Sequence, residues 1–235
     1  MKKIEILFRN NSYFTREAYK TLRTNISFCG DDIKTICITS CEANEGKSTT
    51  SLELAKSLAE ISKRVLLIDA DLRKSVLLSK NTNESNLNGL SQLLAGHVNA
   101  ADVIFNTQID NLDIIFAGQY PPNPSELLNS KKFSDLMTYS KANYDYIIID
   151  TPPLGLVIDA AVVAEKCDGA IIVIAKDVVK FSRSKSVKEQ IEKSGCKILG
   201  TIMNEVNKSK RSLSDAYFRK GKYSKYSKYD KYSHY

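Results

Sequence analysis

The chain has 235 residues, 43% of them hydrophobic, and a formal net charge of +7. That length builds one sizeable α/β domain with a buried core and leaves little for a second. Five cysteines, scattered and without a CxxC pair, exclude a disulfide framework or a zinc ribbon, and no apolar run approaches the ~20 residues of a membrane helix. The cysteines read as reduced thiols used as small apolar side chains. Glu5 and Arg9 interrupt the apolar start, which does not read as a signal peptide, so the chain is expected in the cytoplasm. The charge is uneven. Between Asn207 and Tyr235, nine Lys or Arg face two Asp, a local balance of +7 that leaves the preceding body near neutral. A basic appendage of this kind suits nucleic acid, an acidic protein surface or anionic lipid.

In chain order, residues 15–28 read as a first helix, with Ala18, Leu22 and Ile26 on one face and Thr15 as its N-cap. Strands are expected over 34–40, 63–69, 112–117, 144–150, 169–175 and 197–203. Several are nearly continuous in Ile, Val and Leu, as strands covered on both faces are. Helices alternate with them over 47–62, 89–95, 130–142, 159–166 and 181–194, and the polar stretch 80–88 reads as a loop. The fold class is therefore α/β, a doubly wound, mostly parallel sheet flanked by helices, which binds ligands at the carboxyl ends of its strands. After Val206 the apolar periodicity stops. The domain is placed at 1–206 and a basic, tyrosine-rich tail, expected to be flexible, at 207–235. In it Tyr223, Tyr226, Tyr229, Tyr232 and Tyr235 recur at every third residue.

Between the first long strand and its helix, Gly46-Lys47-Ser48 completes the second half of GxxxxGK[ST], with Cys41 where the first glycine would stand. Backbone N–H groups from Asn44, Glu45, Gly46 and Thr49 can still cradle phosphates at the helix start. Lys47 reaches the β and γ oxygens and the Ser48 hydroxyl ligates Mg²⁺. This is the mark of a P-loop NTPase fold. Tyr146–Asp150 is an apolar strand ending in an acid, the Walker B form, and Asp150 would hold Mg²⁺ directly or through water. Val65–Asp71 is a second such strand with two carboxylates. Their spacing of two places Asp69 and Asp71 on one side if the strand continues. One can then serve the metal while the other accepts the proton of an attacking hydroxyl. Alone, such a DxD pair is a solvated strand end.

Together, the segments 41–49, 65–74 (VLLIDADLRK) and 146–153 (YIIIDTPP) resemble the bacterial tyrosine kinases of capsule and exopolysaccharide synthesis. These are relatives of the partitioning ATPases and unrelated in fold to eukaryotic protein kinases. Three further features match. Segment 118–128 (GQYPPNPSELL) resembles the family's PPNPSELL stretch, which as chemistry is a proline-rigid turn and a helix with Ser125 as its cap. Glu17, Lys20 and Arg23 resemble the family's ExxRxxR oligomerisation helix. The tail resembles its terminal tyrosine cluster. Two departures stand out. Lys20 replaces an arginine and loses its guanidinium fork, and Ser75 replaces the proline usual after the arginine of the second acidic motif. On residues alone, Glu17, Lys20 and Arg23 are an exposed helix face with i,i+3 pairs.

The resemblance implies a catalytic set of Lys47, Asp69, Asp71 and Asp150, with ATP as cofactor and Mg²⁺ held at Ser48, Asp71 and Asp150. It implies that Asp69 activates a tyrosine hydroxyl and that the five tail tyrosines are the acceptors, reached between copies of a ring-like homo-oligomer such as an octamer. It further implies a membrane adaptor of the polysaccharide co-polymerase type that recruits the chain to the inner face of the membrane, other protein substrates, an opposing tyrosine phosphatase and no nucleic-acid partner. Asn204 is a candidate for reading adenine, and equally a turn residue. Two other readings stand beside this one. A partitioning-type ATPase switch would use its basic tail on DNA or membrane, although no lysine opens the P-loop as in those relatives. An inactive scaffold would bind nucleotide without turnover, against which the intact Lys47, Ser48, Asp69, Asp71 and Asp150 weigh.

Overall fold

A computed structural model describes residues 2–8, 10–176 and 178–204. The tail expected at 207–235, with the cluster Tyr223, Tyr226, Tyr229, Tyr232 and Tyr235, lies outside the described residues. Eight strands form one sheet: β1 (Lys2–Lys3), β2 (Thr35–Ser40), β3 (Val65–Asp69), β4 (Phe105–Asn106), β5 (Leu112–Ile115), β6 (Tyr146–Asp150), β7 (Gly169–Ala175) and β8 (Ile198–Asn204). Their spatial order is β1-β4-β5-β3-β6-β2-β7-β8. All neighbours run parallel except β4 and β5. The six strands read from the sequence all form. The two that sequence periodicity misses, β1 and β4, are two residues long and sit at one edge, too short to show an alternation.

The helices are α1 (Tyr13–Ser27), α2 (Lys47–Ala59), α3 (Leu77–Asn81), α4 (Leu90–Ala95), α5 (Ala100–Val103), α6 (Pro124–Leu128), α7 (Lys131–Asn143), α8 (Asp159–Ala164) and α9 (Phe181–Lys193). They cover both faces, which is why the inner strands are apolar throughout. On one face Ile36, Ile38, Leu67 and Ile148 pack with Leu54 and Leu58 of α2 and Ile26 of α1. On the other, Leu66, Ile68, Ile147 and Ile149 pack with Phe133 and Met137 of α7, Val163 of α8 and Val187 of α9. Each such fully buried aliphatic side chain contributes about 1.5–3 kcal/mol.

Three local expectations are corrected. The cap of α1 is Ser12, whose hydroxyl accepts the Thr15 N–H, so Thr15 lies inside the helix. The cap of α6 is Asn123, with Pro124 at the first helical position, and Ser125 turns its hydroxyl elsewhere. β3 stops at Asp69, so Asp71 is placed by a turn and not by strand alternation. Because β2, β3 and β6 are parallel neighbours around a change of strand order, their carboxyl ends share one edge. The P-loop and both acidic motifs meet there.

Candidate active site

The P-loop runs from the end of β2 to the first turn of α2. Gly46 caps α2 in the left-handed region at φ 85, and Asn44 is left-handed at φ 63. At Gly46 a Cβ would lie 2.0 Å from the Asn204 amide nitrogen, so both conformation and space require glycine. Asn204, the last residue of β8, donates its side-chain N–H to the Glu45 carbonyl at 2.9 Å. The Glu45 side chain is buried and turned inward. It accepts the backbone N–H of Glu42 at 2.6 Å and of Ala175, at the end of β7, at 2.9 Å. Glu45 thus shapes the loop, and only its backbone faces a phosphate. Cys41, in place of the missing glycine, is fully buried. Burial, then Glu45 and Glu42, pushes its thiol up to about 11, which leaves it an inert packing group. The α2 N-terminus supplies free N–H groups and the positive end of the helix dipole.

Four charged groups crowd in front of this loop. Lys47 Nζ lies 3.7 Å from Asp71 Oδ2, and both side chains are nearly buried. Asp71 Oδ1 accepts the backbone N–H groups of Arg73 (3.3 Å) and Lys74 (2.9 Å). Asp69 and Asp150 are register partners across β3 and β6, each 1% exposed. Asp150 accepts the Ser51 hydroxyl at 3.1 Å and a hydrogen bond from Ser48. Burial raises its pKa, opposed by the Lys47 charge. Burial, then the charge of Asp150, holds the Asp69 carboxyl well above the usual carboxylate range, against the hydrogen bond that Ser75 Oγ donates to its Oδ2.

Three buried carboxylates beside one ammonium leave excess negative charge where water is scarce, which suits a hard divalent cation. Among the described residues no cluster of three or more His, Cys, Asp or Glu makes a complete metal cage. Mg²⁺ needs no such cage, since it takes one or two carboxylates and fills its shell from phosphate and water. Ser48, Asp71 and Asp150 are the residues that would hold it, and the Asn44–Thr49 backbone with Lys47 fits a polyphosphate.

The AAA domain family matches residues 33–208. Tyrosine-protein kinase CpsD of Streptococcus agalactiae is 43% identical over 208 residues, covering 88% of this chain and 90% of that protein. The chain belongs to the bacterial tyrosine-protein kinases. Among solved structures, the chimerical protein CapA2B2 superposes on the kinase with a TM-score of 0.80 at 33% identity, covering 88% of this chain and 95% of that one. The septum site-determining protein MinD of Pyrococcus horikoshii, solved in complex with Mg-ADP, superposes at 0.64 with 28% identity, covering 77% of this chain and 73% of that one.

The kinase also uses residues that motif reading passes over. Arg73 forks onto Asp159, with Nε to Oδ2 at 2.7 Å and Nη2 to Oδ1 at 3.0 Å. The Ser125 hydroxyl joins them, 2.5 Å from Asp159 Oδ1 and 3.1 Å from Arg73 Nη2. Burial works against the Asp159 charge, but Arg73 and Ser125 hold its pKa below the ordinary value. This clamp ties the PPNPSELL segment and α8 to the turn that carries Asp71. Tyr120 adds a hydrogen bond from its hydroxyl to the Ser75 carbonyl at 3.2 Å. Arg73 stands in the VLLIDADLRK motif, but Asp159 has no motif of its own, and nothing in the sequence pairs the two. Of the residues expected to serve oligomerisation, Lys20 pairs with Glu17 of its own helix at 2.7 Å, both exposed. Arg23 reaches α2 instead, donating to the Ser57 carbonyl at 2.6 Å.

Proposed function

We propose that the kinase transfers the γ-phosphoryl group of ATP to the tyrosines of its own C-terminal cluster, Tyr223 to Tyr235, between copies of the chain. The observation that carries this reading is the Asp69–Asp150 pair, in register at the carboxyl ends of β3 and β6, beside the Lys47–Asp71 contact of 3.7 Å. A tyrosine hydroxyl has a pKa near 10 and needs a base. Asp69, made more basic by burial, takes the phenol proton while the phenolate oxygen forms the new bond to phosphorus and ADP leaves. Lys47 and the Asn44–Thr49 backbone neutralise and orient the phosphates. When bound at Ser48, Asp71 and Asp150, Mg²⁺ supplies charge neutralisation on the transferring group. A cleft of about 780 Å³ lined by Glu42, Ala43, Val179 and Arg183 lies beside the P-loop, on the side where Asn204 can offer its amide oxygen to adenine.

The catalytic domain is taken as 1–206 and the basic acceptor tail as 207–235. Each phosphorylation subtracts ~1.5–2 charges from a tail that starts at +7, so full modification reverses its sign. That reversal would release a ring-like oligomer in which Glu17, Lys20 and Arg23 take part. A membrane adaptor of the polysaccharide co-polymerase type would activate the kinase and bring it to the cytoplasmic face of the membrane, in control of capsular or extracellular polysaccharide synthesis. Other protein substrates and an opposing phosphatase belong to the same scheme. Among the described residues no helix is long and apolar enough to cross a membrane.

The test is direct. Purified full-length chain, with the cytoplasmic segment of such an adaptor, is incubated with Mg²⁺–ATP and phosphate is mapped by mass spectrometry. Modification at Tyr223 to Tyr235, lost in Lys47→Met, is the expected result. Unmodified tail tyrosines alongside measurable ATP hydrolysis would overturn it.

A further inference from the structure

A second cavity, about 220 Å³, lies on the side of the carboxylates away from the P-loop cleft. Its walls include Ser75, Leu78, Ala117, Gly118 and Tyr120, with Glu84 at the rim. The strand order places it over β5 and β3, whereas the larger cleft lies over β2 and β7, so Asp69, Asp71 and Asp150 stand between the two. At this volume it suits one side chain, since sites for larger ligands run to about 300–1,000 Å³. Ser75 is part of its lining, and its hydroxyl is bonded to Asp69. A hydroxyl-bearing ring entering the cavity therefore arrives at the base.

We propose that this cavity is the acceptor site and that Glu84 selects a tyrosine followed, two residues later, by lysine. The proposal rests on the autophosphorylation reading above and names what its substrate must look like. Glu84 is exposed, and among the described residues no cation pairs with it. Its turn is fixed by the Glu84 N–H bonded to Thr82 Oγ1 at 3.1 Å and by Asn86 at φ 56. In an extended peptide, side chains two apart point the same way and adjacent ones point oppositely. With a tyrosine in the cavity, the lysine that shares its side is therefore the second residue on. The tail carries that pattern at Tyr223-Ser-Lys225, Tyr226-Ser-Lys228 and Tyr229-Asp-Lys231. Tyr232 has His234 in that place and Tyr235 has nothing, which makes them internal references.

The full chain and its Glu84→Gln and Glu84→Lys variants are incubated with Mg²⁺–ATP and the adaptor segment, and early rates are read site by site by mass spectrometry. An exposed ion pair predicts that Tyr223, Tyr226 and Tyr229 slow roughly two- to five-fold relative to Tyr235 in Glu84→Gln, and further in Glu84→Lys. Replacing Lys225, Lys228 and Lys231 by Glu should restore the ratio in Glu84→Lys. Site ratios identical in parent and Glu84→Gln would overturn the acceptor site while leaving autophosphorylation standing. Absence of phosphate on every tail tyrosine of the parent would overturn both.

Discussion

Asp69 and Glu45 show two uses of a buried acid at this site. The pKa of Asp69 is raised in the folded state, so the protein gives up stability as pH climbs through that value and Asp69 ionises. Asp69→Asn removes this cost. In Mg²⁺-free buffer it should raise stability at pH 7–8 by about 1 kcal/mol, with the gain shrinking toward pH 4, while phosphorylation is lost. Thermal unfolding across pH measures the first and phosphate incorporation the second; a gain independent of pH would show that the Asp69 pKa does not differ between the folded and unfolded chain. Glu45 is the opposite case, since its carboxylate serves two backbone N–H groups. Glu45→Ala should cost about 1–3 kcal/mol and weaken nucleotide binding, read by urea unfolding and by calorimetry with ATP. The sequence tells that an acid occupies position 45. It does not tell that the side chain points inward, because the contact to Ala175 spans 130 residues and belongs to the tertiary fold.

At the scale of elements, the turn after β3 is held by parts that are remote in sequence. The Arg73–Asp159–Ser125 clamp joins this turn to α6 and α8. Arg73→Ala would leave Asp159, fully buried, without its cation. The expected loss is about 2 kcal/mol, below the roughly 3–5 kcal/mol of a fully buried broken pair because the Arg73 side chain is 40% exposed. The clamp's contribution is present above the ordinary Asp pKa and lost as pH falls through the lowered value of Asp159. Comparing urea unfolding of Arg73→Ala with the parent at pH 7 and pH 3 checks this: equal losses at both would place the cost in packing alone. The inner strands were legible in advance because runs such as IIID and IIVI are apolar on both faces. The short α3 and α5 and the edge pair β1 and β4 were not, since two to five residues carry no period. Ser125 was misread as a cap for a related reason. A serine beside a proline turn looks the same whether its hydroxyl meets its own helix or a carboxylate 34 residues away.

For the whole molecule, charge is divided between a near-neutral body and a basic tail. If tail modification drives disassembly, then the Lys47→Met protein should stay assembled in Mg²⁺–ATP with the adaptor segment while the parent dissociates, as sedimentation velocity would record. Equal distributions for the two would separate phosphorylation from assembly. Length does not restrict which copy is modified. Tyr223 lies nineteen positions after Asn204, a reach of about 60 Å when extended. The four strand spacings from β8 to β3 span only about 19 Å.

The order of strands has one more consequence. The described fold ends at β8, on one rim of the sheet, and the proposed acceptor cavity lies over β3 and β5, toward the other. A molecule that gives from one rim and receives near the opposite one has polarity, like a hook and an eye sewn to facing sides of a belt. Copies joined in that manner meet through two unlike surfaces, so the assembly has no reason to stop at two. If the rotation between successive members brings the last hook round to the first eye, the result is a ring; if it does not, the result is an open helix.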